Sequence, residues 1–412
     1  SDAGPVHINA PFRDPLIPVE VDGFVSPLSP EEFDDFFSEI EPAEAPEPKE
    51  WSLPEEWKNA ERGLLLIGPN MPIDDAAWSR NVASFAKALG WPALADALNP
   101  ARFRARSFPS LISGYEFILR SETLRSRLRP ERVVVVGGLP TCKILREWLS
   151  ALDVPMLVLT RRAADLDATR SKSKQLNVDF EATRFDGEGR AKSSYLKKWL
   201  ALEKAARREL DAAMAETKEL FEGRLAWTLA KLPKASALCV SNSMPPRDLE
   251  FYLGGNDQQL AVFSSRGANG IDGIFSTALG VAHRGKPTYL LIGDLALLHD
   301  TNGALISRQF VGSLTILLVN NAGGGIFGML PVAKFDDVFE KHFVTDQKID
   351  FSDWARTYGL PHQKVNTWEE LDAALSERCS GIRILELRTD RDFDVGRRKE
   401  LFQRIRSKLE NL

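Results

Sequence analysis

Along this chain, short unbroken apolar runs alternate with longer stretches whose apolar positions recur at helical spacing. That is the pattern of strands buried on both faces of a parallel sheet and joined by helices. Gly63 to Ile67, Val133 to Val136 and Met156 to Leu159 are three such runs. Ala237 to Val240, Leu290 to Ile292, Leu314 to Val319 and Ile382 to Leu387 follow later in the chain. They predict two α/β domains with doubly wound parallel sheets, bridged by one long charged helix from about Lys192 to Leu232. Leu297 to Phe310 has helical character, so with the apolar runs before and after it this segment forms a βαβ unit whose crossover makes the strands parallel.

The two strands of that unit end in polar motifs, Gly293-Asp294 and Asn320-Asn321. Parallel strands bring both motifs to one sheet edge, where open α/β sheets bind ligands. A hard divalent cation such as Mg²⁺ takes oxygens in octahedral array, usually one or two carboxylates with phosphate oxygens and water. Asp294 offers a carboxylate, Asn321 an amide oxygen, and Gly323 a backbone carbonyl from a turn where no side chain intrudes. Each motif alone reads as ordinary turn chemistry. Together with Gly323-Gly324-Gly325 they fit one geometry, and the predicted ligand is a Mg²⁺-bound diphosphate.

Two further loops leave strands at the same edge. Ser241-Asn242-Ser243-Met244-Pro245-Pro246-Arg247-Asp248 offers hydrogen-bonding groups, then two prolines that stiffen the entry to the helix carrying Arg247. Ser264 to Gly273 contains Arg266 and three glycines. Two guanidinium forks at one rim suit substrate carboxylates, the alternative being salt bridges to Asp248 or Asp272. Lys143 follows the Val133 to Val136 strand and reads either as a third positive charge or as a solvated lysine. Ile326-Phe327-Gly328-Met329-Leu330-Pro331 reads either as an apolar wall that keeps water from the reacting carbon or as simple core. His299 belongs on the helix after Asp294, packed or capping.

In the first α/β domain, Gly68-Pro69-Asn70 and Gly137-Gly138-Leu139-Pro140 follow strands, but neither completes G-x-G-x-x-G and there is no P-loop. That domain reads as a scaffold contributing a few side chains. Composition narrows the function further. At 412 residues the chain suggests two or three domains, and 43% hydrophobic with 27% charged residues is ordinary for a globular protein. A net charge of -5 makes no electrostatic case for nucleic acid, and no apolar run reaches the ~18 residues of a membrane span. Cys142, Cys239 and Cys379 lack metal or redox spacing and read as reduced residues of a cytosolic or similarly reducing compartment. Pro27 to Pro54, rich in Pro, Glu and Asp, reads as an extended linker. Gly4 to Asn9 is strand-like, with no signal peptide or basic leader around it, as though the chain began inside a larger protein.

With these residues in view, the chain resembles the family of 2-succinyl-5-enolpyruvyl-6-hydroxy-3-cyclohexene-1-carboxylate (SEPHCHC) synthases, thiamine-diphosphate enzymes of menaquinone and phylloquinone biosynthesis. The resemblance rests on Gly4-Pro5-Val6-His7-Ile8-Asn9-Ala10-Pro11-Phe12, Asn242-Ser243 with Arg247, Ser265-Arg266-Gly267-Ala268-Asn269-Gly270-Ile271-Asp272-Gly273, Gly293-Asp294-Leu295, and Asn320-Asn321-Ala322-Gly323-Gly324-Gly325-Ile326-Phe327. The diphosphate signature of thiamine-diphosphate enzymes begins with Gly-Asp and ends with Asn-Asn. Its usual third residue is glycine, and Leu295 in that place fits this branch.

The resemblance implies two doubly wound domains of the thiamine-diphosphate enzyme type. Residues 1–20 would be a remnant of a pyrimidine-binding domain, 21–60 a linker, 61–205 the central domain and 206–412 the diphosphate-binding domain. It implies decarboxylation of 2-oxoglutarate and addition of the remaining four-carbon unit to isochorismate, with thiamine diphosphate and Mg²⁺ or Mn²⁺. Asp294, Asn321 and the Gly323 carbonyl would hold the metal. Asn242, Gly270, Ile271, Gly293, Leu295, Gly324 and Ile326 would line the cofactor. Lys143, Ser243, Arg247 and Arg266 would meet the acidic substrates, with Ile326, Phe327 and Leu330 shaping the pocket. The family's activating glutamate lies on the pyrimidine-binding domain, and no residue here takes that role, so the chain is expected to be a fragment inactive alone. Family sites lie between subunits, which implies a homodimer or homotetramer, cytoplasmic in bacteria and plastid in a photosynthetic eukaryote. The competing readings are another thiamine-diphosphate 2-oxoacid decarboxylase or carboligase, and a non-catalytic cofactor-binding or assembly module.

Overall fold

In the computed structural model, which describes residues 7–12, 14, 29–38, 49–138, 140–161, 173–185 and 190–412, the apolar runs become the strands of two six-stranded sheets. The first sheet contains β2 (Gly63–Ile67), β3 (Ala93–Ala95), β4 (Leu111–Ile112), β5 (Arg132–Val136), β6 (Met156–Thr160) and β7 (Lys174–Asn177) in the order β4-β3-β2-β5-β6-β7, every pair parallel. A parallel pair, β1 (Lys49–Glu50) with β8 (Thr183–Arg184), stands beside it. The second sheet contains β9 (Ala237–Val240), β10 (Ala261–Ser264), β11 (Thr288–Gly293), β12 (Ser313–Asn320), β13 (His362–Val365) and β14 (Gly381–Arg388) in the order β10-β9-β11-β12-β14-β13, again all parallel. Its order reverses between β9 and β11, and that switch point is where the chemistry-bearing loops converge.

The first sheet has the strand order of dinucleotide-binding domains, with its switch point between β2 and β5. Backbone closes that crevice. A Cβ added to Gly68 would lie 1.4 Å from the Gly138 carbonyl oxygen, and Asn99 Nδ2 donates to the Gly68 carbonyl at 2.6 Å. The glycines after β2 and β5 thus serve the close approach of two backbones at this switch point.

The two sheets share one apolar core, in which Leu66, Val135 and Trp199 belong to the same cluster as Leu238, Leu291 and Leu387. A buried guanidinium–carboxyl hydrogen bond crosses between them. Arg102 Nη2 donates to Glu250 Oε1 at 2.8 Å, and Arg102 Nε donates to the Ala95 carbonyl at 2.7 Å. The other oxygen of Glu250 accepts from Ala97 N at 2.7 Å. The helix Pro245–Tyr252, which carries Arg247, is thus bolted to the loop after β3.

The expected bridging helix is broken. One helix covers Ser194–Glu216, the chain extends at Thr217, and a second helix covers Glu222–Thr228. Beyond the break Phe221 is fully buried, with its ring 5.3 Å from Tyr252 and 6.3 Å from Phe393. The 205/206 boundary falls inside the unbroken Ser194–Glu216 helix.

Leu297 to Phe310 is likewise two pieces, an α-helix Asp294–His299 and a 3₁₀ segment Thr301–Gln309. Between them the Asp300 carboxylate accepts from Ser276 N at 2.6 Å and Ser276 Oγ at 2.8 Å, pulling the chain onto the neighbouring helix Ile274–Ala282. His299 ends exposed on the last position of its helix, neither packed nor capping.

The expected linker is more ordered than its composition suggests. It contains a helix Pro30–Ser38 and strand β1, and its Leu53 and Trp57 enter the core beside Trp78 and Phe85. Of the strand expected at Gly4 to Asn9, residues 4–6 lie outside the described residues, and His7 to Asn9 form no strand.

Candidate active site

The carboxyl ends of β9, β10, β11 and β12 surround a cavity of about 440 Å³. Its walls include Asn242, Ser243, Arg247, Arg266, Ile271, Gly293, Asp294, Leu295, Asn321, Gly323, Gly324, Ile326 and Phe327, so most residues singled out in the sequence meet here. The β11–β12 register pairs Gly293 with Val319, which sets Asp294 and Asn320-Asn321 side by side.

Asp294 begins its helix and bends back over the facing loop. Its Oδ1 accepts from Leu295 N at 2.8 Å and its Oδ2 from Gly323 N at 2.7 Å. Burial pushes this carboxyl up to about 6, while the two backbone N–H groups pull it down. Gly323 has φ +127°, and a Cβ there would meet the Val344 carbonyl oxygen at 2.2 Å, so the turn requires glycine. Ala322 at φ +58° and Ser243 at φ +71° are non-glycine residues in the left-handed region, both beside the cavity.

Asn321 donates through Nδ2 to Glu222 Oε1 at 2.6 Å, which leaves its Oδ1 buried without a partner. That orphaned amide oxygen, with the Asp294 carboxylate and the glycine backbone, fits a divalent cation that brings diphosphate oxygens and water to its remaining positions. Among the described residues no three His, Cys, Asp or Glu side chains gather into a cage of their own, so a cation here would depend on the diphosphate it carries.

Asn242 ties two of the loops together. Its Nδ2 donates to the carbonyls of Ser265 at 2.9 Å and Gly270 at 2.6 Å, and its Oδ1 accepts from Arg266 Nη1 at 2.6 Å. Gly270 is not among the residues of the cavity wall and is tied to it through this carbonyl. Arg266 Nε remains buried and unpartnered. Arg247 donates to the Ser243 carbonyl. Neither arginine is paired with Asp248 or Asp272, because Asp248 gives both oxygens to Arg398, at 3.0 Å each.

Lys143 and Leu330 are not brought in. Lys143 stands exposed at the start of the helix Lys143–Ser150 with its ammonium 3.5 Å from Glu147, and Leu330 is an exposed residue outside the cavity wall. One turn on from Lys143, Arg146 does face the cavity, with Thr141. Arg146 has no carboxylate partner among the described residues. Burial, then repulsion from Arg266 and Arg146, lowers the Arg247 guanidinium, and burial with Arg146 lowers Arg266 despite the pull of Asp96. Three mutually repelling cations therefore share one cavity.

Glu222, which sequence reasoning passed over, also reaches the wall. Its Oε2 takes a short hydrogen bond from Arg398 Nη2, and its N–H donates to Asp394 Oδ1 at 3.2 Å. Burial, chiefly, raises the Asp394 and Asp248 carboxyls, as expected for three acids sharing one arginine. Of the cysteines, Cys142 and Cys239 are buried and Cys379 half-buried, all free.

Residues 38–240 match the family model described as the middle domain of thiamine pyrophosphate enzymes, and residues 255–384 match the thiamine pyrophosphate enzyme C-terminal TPP binding domain. The chain is 43% identical to a protein of Synechococcus sp. named 2-succinyl-5-enolpyruvyl-6-hydroxy-3-cyclohexene-1-carboxylate synthase, across 97% of this chain and 70% of that protein. A protein of the same name from Nostoc sp. is 40% identical across 96% of this chain and 69% of its own length. Among solved structures, benzoylformate decarboxylase from Polynucleobacter necessarius superposes with a TM-score of 0.52 at 14% identity, covering 91% of this chain and 68% of that one. A putative thiamin diphosphate-dependent enzyme from Mycobacterium smegmatis gives 0.50 at 17% identity, covering 82% and 63%. These two likenesses speak to the fold.

Proposed function

The chain belongs to the SEPHCHC synthase family of thiamine-diphosphate enzymes, and on that premise we propose that it carries the Mg²⁺-diphosphate and acid-binding half of a site joining 2-oxoglutarate to isochorismate with loss of CO₂. The observation that carries this reading is one cavity with a metal-type oxygen set on one wall and, on another, three guanidinium groups without carboxylate partners among the described residues. Asp294, Asn321 and the Gly323 carbonyl would hold the metal, Mg²⁺ or Mn²⁺. Thiamine diphosphate, when bound, supplies the carbon nucleophile and the electron sink that release of CO₂ from a 2-oxoacid requires.

The chain's own residues bind and orient. Arg247, Arg266 and Arg146 each offer a fork that matches a carboxylate, and both substrates are dicarboxylates at neutral pH. Held in a half-buried cavity, these cations align the acids before the carbon-carbon bond forms. Ile326 and Phe327 line the cavity beside the glycine run and shield the reacting carbon from water. Ser243, held at a positive φ, lines the same cavity, and its carbonyl accepts from Arg247.

An enzyme acting on neutral aldehyde partners would have no use for three repelling cations, which is the observation against other decarboxylases and carboligases of the superfamily. We propose a homodimer or homotetramer as the working assembly, because family sites lie between subunits. The test is product formation by mass spectrometry from 2-oxoglutarate and isochorismate with thiamine diphosphate and Mg²⁺, with and without a pyrimidine-binding domain added in trans. SEPHCHC in the supplemented reaction supports the reading. Turnover of pyruvate alone in place of the two acids contradicts it, and cofactor binding without turnover in either arm favours the binding-module alternative.

A further inference from the structure

The two consecutive asparagines that end β12 are each held by a different glutamate. Asn320 Nδ2 donates to Glu386 Oε1 and Asn321 Nδ2 to Glu222 Oε1, both at 2.6 Å. The two ends of an amide have nearly the same shape, so its partners decide which end points where. An ionised carboxylate can only accept, and by taking Nδ2 Glu222 fixes Asn321 Oδ1 on the opposite side, buried and unpartnered on a residue of the cavity wall.

Glu222 is itself held through its side chain and its backbone, and Thr389 Oγ1 stands 3.5 Å from the same Oε1 that Asn321 meets. Arg398 donates to its Oε2, Asp248 fixes Arg398 through two contacts of 3.0 Å, and Asp394 accepts from the Glu222 N–H at 3.2 Å. Glu222, Asp248, Asp394 and Arg398 are each 4% exposed or less, and they come from three helices, Glu222–Thr228, Pro245–Tyr252 and Arg391–Glu410. A buried ion cluster is a poor source of stability, since well-packed apolar residues of similar volume serve as well or better. What such a cluster supplies here is direction.

We propose that Glu222, locked by Arg398, is a positioning residue that aims the Asn321 amide oxygen at the metal, so that the C-terminal helix Arg391–Glu410 sets metal affinity from behind the site. The proposal rests on reading Asp294, Asn321 and Gly323 as the metal's ligands. It predicts a reciprocal swap. With Glu222→Gln, the new amide meets a donor on one side, either Arg398 or Asn321, and relief by flipping Asn321 turns its oxygen away from the metal. With Asn321→Asp, a carboxylate faces Glu222. In the pair of substitutions, the new glutamine donates to the new aspartate and accepts from Arg398, with the buried charge unchanged.

Mn²⁺ titrated into the full chain with thiamine diphosphate, followed by the electron paramagnetic resonance of free Mn²⁺, reads this directly. Glu222→Gln is expected to weaken Mn²⁺ binding about 10- to 100-fold. The paired variant should recover most of that loss, a non-additivity that a cluster serving packing alone would not produce. Mn²⁺ affinity in Glu222→Gln equal to the parent, or a pair no tighter than the single variants, overturns the proposal. If Glu222→Gln does not fold, the charge-neutral pair still decides by its affinity against the parent. Asp294→Ala is titrated alongside: unchanged affinity there overturns the metal reading itself, whereas loss there with no effect of Glu222→Gln overturns only the positioning role.

Discussion

Asp294 Oδ2 accepts a hydrogen bond from Gly323 N at 2.7 Å, closing the end of β11 onto the turn after β12. The contact depends on a backbone conformation at φ +127° that leaves no space for a side chain. Gly323→Ala should therefore cost about 2–4 kcal/mol, from left-handed strain and the collision with the Val344 carbonyl. Urea denaturation measures it, and a loss below about 0.5 kcal/mol, the ordinary range of surface substitutions, would show that the turn is not constrained as described.

The three guanidinium groups should separate substrate recognition from cofactor binding. Arg146→Ala and Arg266→Ala are each expected to raise the KM for an acidic substrate about 10- to 100-fold, the worth of a hydrogen bond to a charged group. Thiamine diphosphate affinity should stay near the parent's in both. Steady-state kinetics beside cofactor titration checks this, and a larger effect on the cofactor than on the acids would remove these residues from the carboxylate-binding role.

Glu250 gives a pH dependence of stability. Burial pushes its carboxyl up to about 8 against the pull of Arg102, whereas in the unfolded chain it ionises near 4.5. Between those values the folded form holds a proton that the unfolded form has lost, so this group's contribution is greatest below 4.5 and is lost as pH rises to about 8. Thermal unfolding from pH 6 to 9 should show a falling midpoint, and Glu250→Gln should flatten that fall. An identical slope in the variant would assign the effect to other groups.

Much of this site is legible along the chain, for a physical reason. Strands of a parallel sheet are unbroken apolar runs, and loops after them share one edge, so Asp294, Asn321, Arg247 and Arg266 can be brought together without any long-range information. Glu222 and Arg398 could not be found that way. Glu222 meets Asn321 across 99 residues and Arg398 across 176, and a single charged residue on a helix reads locally as a solvated face. Arg146 lies three residues from Lys143, and only the orientation of their shared helix tells which of the two turns inward. The break at Thr217 is hidden for the opposite reason: the charged helical pattern continues across it, and the buried Phe221 just beyond it looks like any other core residue.

The account depends most on the clamp formed by Asp294, Asn321 and the Gly323 turn. Titration calorimetry of thiamine diphosphate into the chain, with Mg²⁺ and then with a chelator, tests it most directly. The predicted result is saturable binding that needs Mg²⁺ and disappears in Asp294→Ala; binding of equal strength without the metal, or unaffected by that substitution, would contradict it.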